Sequence, residues 1–188
     1  MRQSLRRHPD SDCLAAESIE VEIERPHADV LALSYIVTGR IGDIRLPPVA
    51  EPLRSNELWR HTCFEAFVRA SGGDAYYEFN FAPSTQWAVY RFSGYRSGMA
   101  VAAEIGATAI AVESKPDCYI LQASLALDRL SDLPREATWR LALSALIEDR
   151  SGRMSYWALA HPPGKRDFHH ADGFACAISP DVSDEVRH

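Results

Sequence analysis

The sequence predicts an all-β fold, a single-domain antiparallel β-sandwich, from two observations. Apolar residues recur at every second position in about ten short runs, which is the spacing of strands with one buried face. Glycine, proline and aspartate bound these runs, and none has the length of an amphipathic helix. At 188 residues the chain is long enough for one domain with a sizeable core.

The first predicted strands form a meander. Ile19, Val21 and Ile23 alternate with glutamates, which indicates a strand with one exposed face. Residues 30–38 are rich in β-branched and aromatic side chains and predict a second strand. Residues 41–46 are predicted to complete the meander before a proline-rich loop.

The segment 57–92 predicts three antiparallel strands whose two faces differ in chemistry. In the first strand apolar side chains alternate with Glu65, and in the second they alternate with Glu78 and Asn80. A one-residue slip in register would turn the two carboxylates into the core, so the register is strongly specified. A Ser-Gly-Gly-Asp turn connects the first two strands, and Ala-Pro-Ser introduces the third.

The polar face of these strands is predicted to bind a small polar ligand. On it we place the carboxylates, the guanidinium of Arg91 and the rings of Tyr76 and Trp87. Rings stack on a ligand while the polar groups fix its orientation. The alternative is a solvated outer face, which antiparallel sheets commonly have on one side.

Five further strands complete the predicted sandwich. A Lys-Pro-Asp turn joins residues 107–113 to 118–127, and an Asp-Arg-Ser-Gly turn joins 138–147 to 154–160. After a long irregular stretch, residues 174–178 form the last strand. These turn signals complete the all-β pattern.

The β-sandwich domain is predicted to occupy residues 18–179. Residues 1–17 are expected to be a flexible N-terminal segment, and the polar residues 180–188 a disordered tail. The amino terminus lacks the apolar run of a secretory signal, and no stretch approaches a membrane span. We therefore expect no membrane partner.

Charge and cysteine content exclude two further classes. With 20 basic and 26 acidic residues the formal net charge is -6, which is not the electrostatic footprint of a nucleic-acid-binding protein. The four cysteines lie far apart without a CxxC pair, which argues against a zinc ribbon or a thioredoxin-type centre. Reduced thiols in a cytoplasmic protein are the simplest interpretation.

Three sequence elements carry a resemblance to a known family. They are W-x5-E-x-F at residues 59–67, Y-x-E-F-x-F-x-P at 76–83, and a tryptophan strand followed by an aromatic loop and a final strand at 156–175. In this order and spacing they resemble the DOMON-like superfamily and, within it, the family-nine carbohydrate-binding modules. The resemblance covers the chain from about Ile19.

The resemblance implies a sugar site. In sugar-binding members two aromatic side chains enclose a terminal sugar while a glutamate and other polar groups bind its hydroxyls. Trp59 and Phe168 match the aromatics, and Glu65 matches the glutamate. Thr62 stands where these modules usually have an aspartate and Asn80 where they have an arginine, so we expect a retained sandwich with a changed ligand.

The predicted function is a non-catalytic module that binds a small polar ligand such as a saccharide or sugar derivative. We expect no cofactor and no metal, and the sequence leaves the oligomeric state open. The predicted ligand-binding residues are Trp59, Glu65, Glu78, Asn80, Arg91 and Phe168.

The alternatives are a haem-binding domain, a metal site and an enzyme on the same concave face. Haem-binding members of the superfamily use methionine and histidine ligands, which this chain offers at Met99, Met154, His61, His161, His169 and His170. A metal site could use the histidine-rich loop, but adjacent histidines on an extended segment point to opposite faces. A cysteine enzyme would need Cys63 and His61 to converge, whereas residues two apart on a strand lie side by side.

Overall fold

The computed structural model describes residues 1–180, and they form two packed antiparallel sheets. The smaller sheet has the spatial order β1 (Arg2–Ser4), β3 (Ala16–His27), β4 (Val30–Gly39), β10 (Cys118–Ala126) and β9 (Ala109–Ser114). The larger has the order β2 (Arg6–Arg7), β12 (Met154–Ala158), β11 (Trp139–Glu148), β5 (Cys63–Ala70), β6 (Tyr76–Phe81), β7 (Trp87–Phe92) and β8 (Ala100–Val101), with β13 (Cys176–Ile178) also pairing with β11. The predicted all-β sandwich is confirmed.

The described residues contain only short helices. Single 3-10 turns span Ile41–Asp43, Leu58–Arg60 and Ala171–Gly173, and residues 1–180 include no α-helix. Nothing in this part of the chain is a helix long and apolar enough to cross a membrane.

One face of the smaller sheet is exposed to solvent, as the two-residue alternation of apolar and charged side chains predicts. Ile19, Val21 and Ile23 of β3 are buried, and the intervening glutamates are turned outward. In β4, Leu31 and Tyr35 face the same core. This sheet therefore supplies one wall of the main core.

The larger sheet is buried on both faces. Phe64 and Phe79 point into the main core between the sheets. Phe67 and Tyr76, on the opposite face, belong to a second apolar cluster. All six residues of β6 are buried, so the face predicted to be polar is covered rather than solvated.

The N-terminal segment is part of the sandwich. β1 pairs with β3 in the smaller sheet, and β2 pairs with β12 in the larger one. Leu5, between them, is buried in the main core, as is Cys13. The prediction of a flexible segment at residues 1–17 is therefore wrong, because edge pairing of two- and three-residue strands leaves no readable period in the sequence. Of the predicted tail 180–188, only Pro180 is among the described residues.

The predicted strand at residues 41–46 is also wrong. Residues 41–43 form a 3-10 turn instead, and Ile41 and Ile44 fill the core. Gly39 precedes this turn with a φ of 139°, and a Cβ atom there would lie 2.3 Å from the carbonyl oxygen of Ala15. Only glycine allows this close approach of the chain to the N-terminal segment.

Candidate functional site

The candidate site lies on the face of the larger sheet that points away from the main core. β5, β6 and β11 place Glu65, Glu78 and Ser144 on this face, because each alternates with residues of the main core. Glu65 pairs with Asn80 on one side and with Ser144 on the other. Three adjacent strands thus build the face.

Glu65 is buried, and its surroundings favour the protonated form of its carboxyl group. Its side chain accepts a hydrogen bond from Ser144 Oγ at 2.8 Å. Burial, and then the nearby Glu78 carboxylate, raise the pKa of Glu65 to about 8 against the opposing Ser144 hydrogen bond. A protonated carboxyl group can donate a hydrogen bond to a ligand as well as accept one.

Glu78 is the second buried carboxyl group of the face. Burial raises its pKa, while a hydrogen bond from Asn80 and the positive charge of Arg96 oppose the shift. Asn80 Nδ2 donates to Glu78 Oε1 at 2.8 Å and is itself fully buried. Asn80 therefore holds the Glu78 side chain by a hydrogen bond and does not itself line the pocket.

His169 reaches Glu78 from the loop between β12 and β13. Its Nδ1 lies 2.8 Å from Tyr76 Oη, and its Nε2 lies 3.7 Å from Glu78 Oε2. Tyr76 Oη accepts the Arg96 backbone N–H at 3.3 Å, so its own hydrogen is available to His169 Nδ1. The Nε2 atom is the ring nitrogen that faces Glu78.

The His169 ring is neutral at neutral pH. Burial, and then the positive charge of Arg96, lower the pKa of His169 to about 4. Its contact with Glu78 is therefore not an ion pair. The ring packs edge-on against Phe67 and Phe92, with centroids 5.0 and 5.1 Å away, which fixes its orientation.

A pocket of about 600 Å³ opens over this face. Glu65 and Glu78 line it together with Trp59, from the 3-10 turn before β5, and Phe168, from the β12–β13 loop. Both rings are half-buried, so part of each remains open to a ligand. The remaining lining residues are Arg60, Phe92, Arg96, Met99, Leu146, Met154, Tyr156, Arg166, Asp167 and His169.

Two loops distant in the sequence meet at the pocket. Tyr95 Oη donates to Asp167 Oδ2, and Arg96 Nη2 donates to Asp167 Oδ1 at 2.7 Å. Asp167 Oδ1 also accepts the His169 backbone N–H at 3.0 Å. Arg96 has a φ of 49°, a left-handed conformation uncommon outside glycine. The contacts with Asp167 join the β7–β8 loop to the loop that carries His169.

The pocket brings together four of the six predicted site residues: Trp59, Glu65, Glu78 and Phe168. Arg91 lies elsewhere, because it pairs with Tyr77 on the main-core side, where its Nε donates to Asp132 Oδ2 at 2.6 Å. Trp87 likewise pairs with Phe81 and lies in the main core. The prediction that Arg91 and Trp87 lie on the polar face is therefore wrong. The odd-numbered residues of β6 face the main core, and the β6–β7 hairpin pairs them with the odd-numbered residues of β7, which consequently lie on the same side.

Sequence reasoning missed the loop and turn residues of the pocket, notably Arg60, Arg96, Arg166 and Asp167, and it also missed Tyr156 of β12. Loops carry no periodic signal that assigns a side chain to a face. The available signal was weaker. The β7–β8 and β12–β13 loops both combine aromatic and basic residues beside strands of the predicted binding face, and such loops commonly carry function.

The geometry of His169 does not fit a haem ligand. One ring nitrogen bonds Tyr76 and the other faces Glu78, so neither presents a free lone pair to an iron. Met99 and Met154 line the same pocket, but the histidine beside them is committed to the protein network.

The histidine-rich loop does not assemble a metal site either. Within residues 1–180, no three His, Cys, Asp or Glu side chains are grouped to hold a metal ion. His169 is turned toward Tyr76, whereas His170 Nδ1 accepts the Asp172 backbone N–H at 3.2 Å. The two histidines therefore serve separate local contacts.

Cys63 is not arranged as a nucleophile. Burial and the neighbouring carboxylates raise its pKa well above the ordinary value, which favours the unreactive thiol. Its Sγ lies 3.7 Å from the Phe64 carbonyl oxygen and from Asn80 Oδ1. His61 Nδ1 instead lies 2.7 Å from Glu148 Oε2. Among residues 1–180, His61 thus contacts Glu148 and not Cys63, so these two side chains do not form a nucleophile–base pair.

The fold and the site define a β-sandwich with a pocket on the outer face of its larger sheet. Solved structures show the same fold. A candidate carbohydrate-binding protein from Bacteroides uniformis is similar with a TM-score of 0.62 and 14% identity, over 90% of this chain and 82% of that one. A family-nine carbohydrate-binding module from Caldicellulosiruptor kristjanssonii, in complex with glucose, is similar with a TM-score of 0.50 and 14% identity, over 91% and 81%.

These likenesses confirm, for the fold, the predicted similarity to family-nine carbohydrate-binding modules. No protein-family model and no curated protein matches the chain. The ligand must therefore be argued from the pocket itself.

Proposed function

We propose that this protein is a non-catalytic module that binds a saccharide in the pocket over Glu65 and Glu78. One observation carries the proposal: a single pocket presents two half-buried aromatic rings and two buried carboxyl groups. A pyranose has C–H patches that stack on rings and hydroxyls that bond carboxyl groups. The volume, about 600 Å³, lies within the range of small-molecule sites.

Two features support a saccharide over an apolar ligand. Buried carboxyl groups are costly unless a ligand or the protein satisfies their hydrogen bonds, and hydroxyl-rich ligands do so. The two structures of similar fold are a candidate carbohydrate-binding protein and a module holding glucose. Trp59 and Phe168 are proposed as the stacking rings, and Glu65 and Glu78 as the hydroxyl contacts.

The test is saccharide binding with a ring removed. Neutral and acidic monosaccharides and oligosaccharides are titrated by calorimetry into the wild type and Trp59→Ala. We expect the variant to lose at least about 1 kcal/mol of binding free energy, because a stacked ring contributes that much beyond its buried area. Its melting temperature should change little, since Trp59 is only half-buried.

Phe79→Leu is the control for the Trp59 experiment. Phe79 lies in the main core on the opposite face and does not line this pocket. We expect it to lower the free energy of unfolding and to leave the saccharide dissociation constant unchanged. Equal binding by the wild type and Trp59→Ala would place the ligand elsewhere.

An enzyme using the same face is a second candidate, favoured by one observation. Two buried carboxyl groups with raised pKa values share the pocket, an arrangement also found in acid–base catalysts. Nuclear magnetic resonance of oligosaccharides incubated with the protein separates the two. Unchanged spectra fit the binding module, and product formation that is lost in Glu78→Gln fits an enzyme.

A further inference from the structure

Three arginines line the pocket that we propose as a saccharide site: Arg60, Arg96 and Arg166. They come from three separate places, namely the 3-10 turn before β5, the β7–β8 loop and the β12–β13 loop. We infer that the bound saccharide carries an anionic group, a carboxylate or a phosphate ester, which these guanidinium groups bind. The inference rests on the proposed function and adds the charge of the ligand.

The chemistry of the guanidinium group favours such a ligand. Arginine is always charged and presents N–H groups in a planar fork that matches carboxylate and phosphate oxygens. The chain as a whole is acidic, with a net charge of -6. Three guanidinium groups around one cavity therefore reverse the prevailing charge of the molecule at this place.

The carboxyl groups of the pocket do not neutralise the three arginines. Only Asp167 forms an ion pair with one of them, at 2.7 Å from Arg96. The other two lining carboxyl groups, Glu65 and Glu78, are buried, and burial favours their neutral form. A pocket lined by three guanidinium groups, only one of which is ion-paired to a carboxylate of the lining, attracts an anion.

Arg166 is the arginine most available to a ligand. Its Cζ lies 4.0 Å from the centroid of the Tyr156 ring, and Tyr156 also lines the pocket. Stacking of this kind fixes the guanidinium plane while its N–H groups stay available. Within residues 1–180, no carboxylate lies within 4.0 Å of the Arg166 guanidinium.

Arg60 can exchange its present partner for a ligand at little cost in free energy. It contacts Glu57 at 2.7 Å, but both side chains are mostly exposed. Such surface pairs contribute little to stability, so a ligand can replace Glu57 as the partner. Glu57 itself does not line the pocket.

The experiment compares matched neutral and anionic sugars by calorimetry. The probes are glucose with glucuronate and glucose 6-phosphate, and galactose with galacturonate and galactose 6-phosphate. We expect at least one anionic sugar to bind tenfold or more tightly than its neutral partner, and this advantage to shrink as salt is raised. Comparing the uronates with the phosphates identifies the anionic group.

Variants assign the effect to the arginines. Arg166→Gln should remove most of the anionic advantage and leave the affinity for the neutral sugar within twofold, and Arg166→Lys should keep part of it. Arg150→Gln is the matched control, because it removes the same charge from an exposed arginine that lines a different pocket. It should change neither affinity.

The failures are distinguishable. If neutral and anionic sugars bind equally, or if Arg166→Gln weakens both to the same extent, the anionic ligand is wrong while saccharide binding stands. If no sugar of either kind binds, the proposed function fails and this inference fails with it.

Discussion

At the scale of single residues, the site is governed by two carboxyl groups placed on one buried face. Glu65 and Glu78 lie on adjacent strands, and each is satisfied by one neighbour, Ser144 or Asn80. Because two like charges in a buried setting repel each other, the pair favours a protonated member. The face therefore offers both a donor and acceptors, which is the combination that a sugar hydroxyl requires.

The raised pKa of Glu65 predicts a loss of stability at alkaline pH. The folded protein holds this proton up to a pH of about 8, whereas a free glutamate releases it near its ordinary pKa of 4.5. The folded state thus binds more protons between these values, so the free energy of unfolding falls as pH rises through that window. His169, whose pKa is lowered to about 4 in the folded protein, contributes an opposing change that fades as the pH rises above the ordinary histidine value of 6.5.

Glu65→Gln should remove this pH dependence. The amide keeps the shape and an oxygen for Ser144 but carries no titrating proton. In urea unfolding, the wild type should lose about 2 kcal/mol more than the variant between pH 6.5 and 8.5, from the linkage relation. Glu24→Gln, which changes an exposed glutamate of β3, is the control. Equal slopes in the wild type and Glu65→Gln would show that Glu65 is ionised throughout.

At the scale of strands, the register of each hairpin decides which residues reach the site. Within β5 and β6 the two-residue period predicted the faces correctly, because each strand was long enough to show it. For the third strand, β7, the prediction assigned the alternating side chains to the wrong faces. Pairing of Phe81 with Trp87 across the intervening loop puts Arg91 on the core side, and loop length, rather than the strand itself, sets that pairing.

The pairing of the N-terminal strands predicts that residues 1–17 contribute to the stability of the fold. Leu5 is 5% exposed and packs in the main core, whereas Leu14 is 56% exposed. Leu5→Ala should lower the free energy of unfolding by about 2 to 4 kcal/mol, because it leaves a cavity in a packed core. Leu14→Ala, the matched control, should change it by less than about 0.5 kcal/mol. Equal and small effects of the two substitutions would instead support the flexible N-terminal segment, residues 1–17, that was predicted from the sequence.

At the scale of the whole molecule, the pocket depends on contacts that no local pattern encodes. Arg96 meets Asp167 across 71 positions of sequence, and both lie in loops. The period of the strands predicted the sandwich and the carboxyl-bearing face, and the family resemblance added the two rings that flank it. The arginines and His169 were not assigned to the site, because loop conformation is fixed by tertiary packing rather than by periodicity.

The four free cysteines test whether the sandwich unfolds as one unit. Cys13, Cys63 and Cys176 are buried in separate parts of the molecule, and Cys118 is half-buried. Burial raises the pKa of the Cys63 and Cys176 thiols, which further slows their reaction. Since Cys13 and Cys176 share one core with residues from both sheets, opening one region should open the others.

We expect an aromatic disulfide reagent to label Cys118 first and the three buried thiols later at one common rate. In Cys118→Ser the fast phase should disappear, and in urea the remaining thiols should become reactive at the midpoint of global unfolding. Earlier labelling of Cys13 would show that the N-terminal segment opens independently, and earlier labelling of Cys176 would show the same for β13. All four thiols should be free after denaturation, as the proposed cytoplasmic location requires.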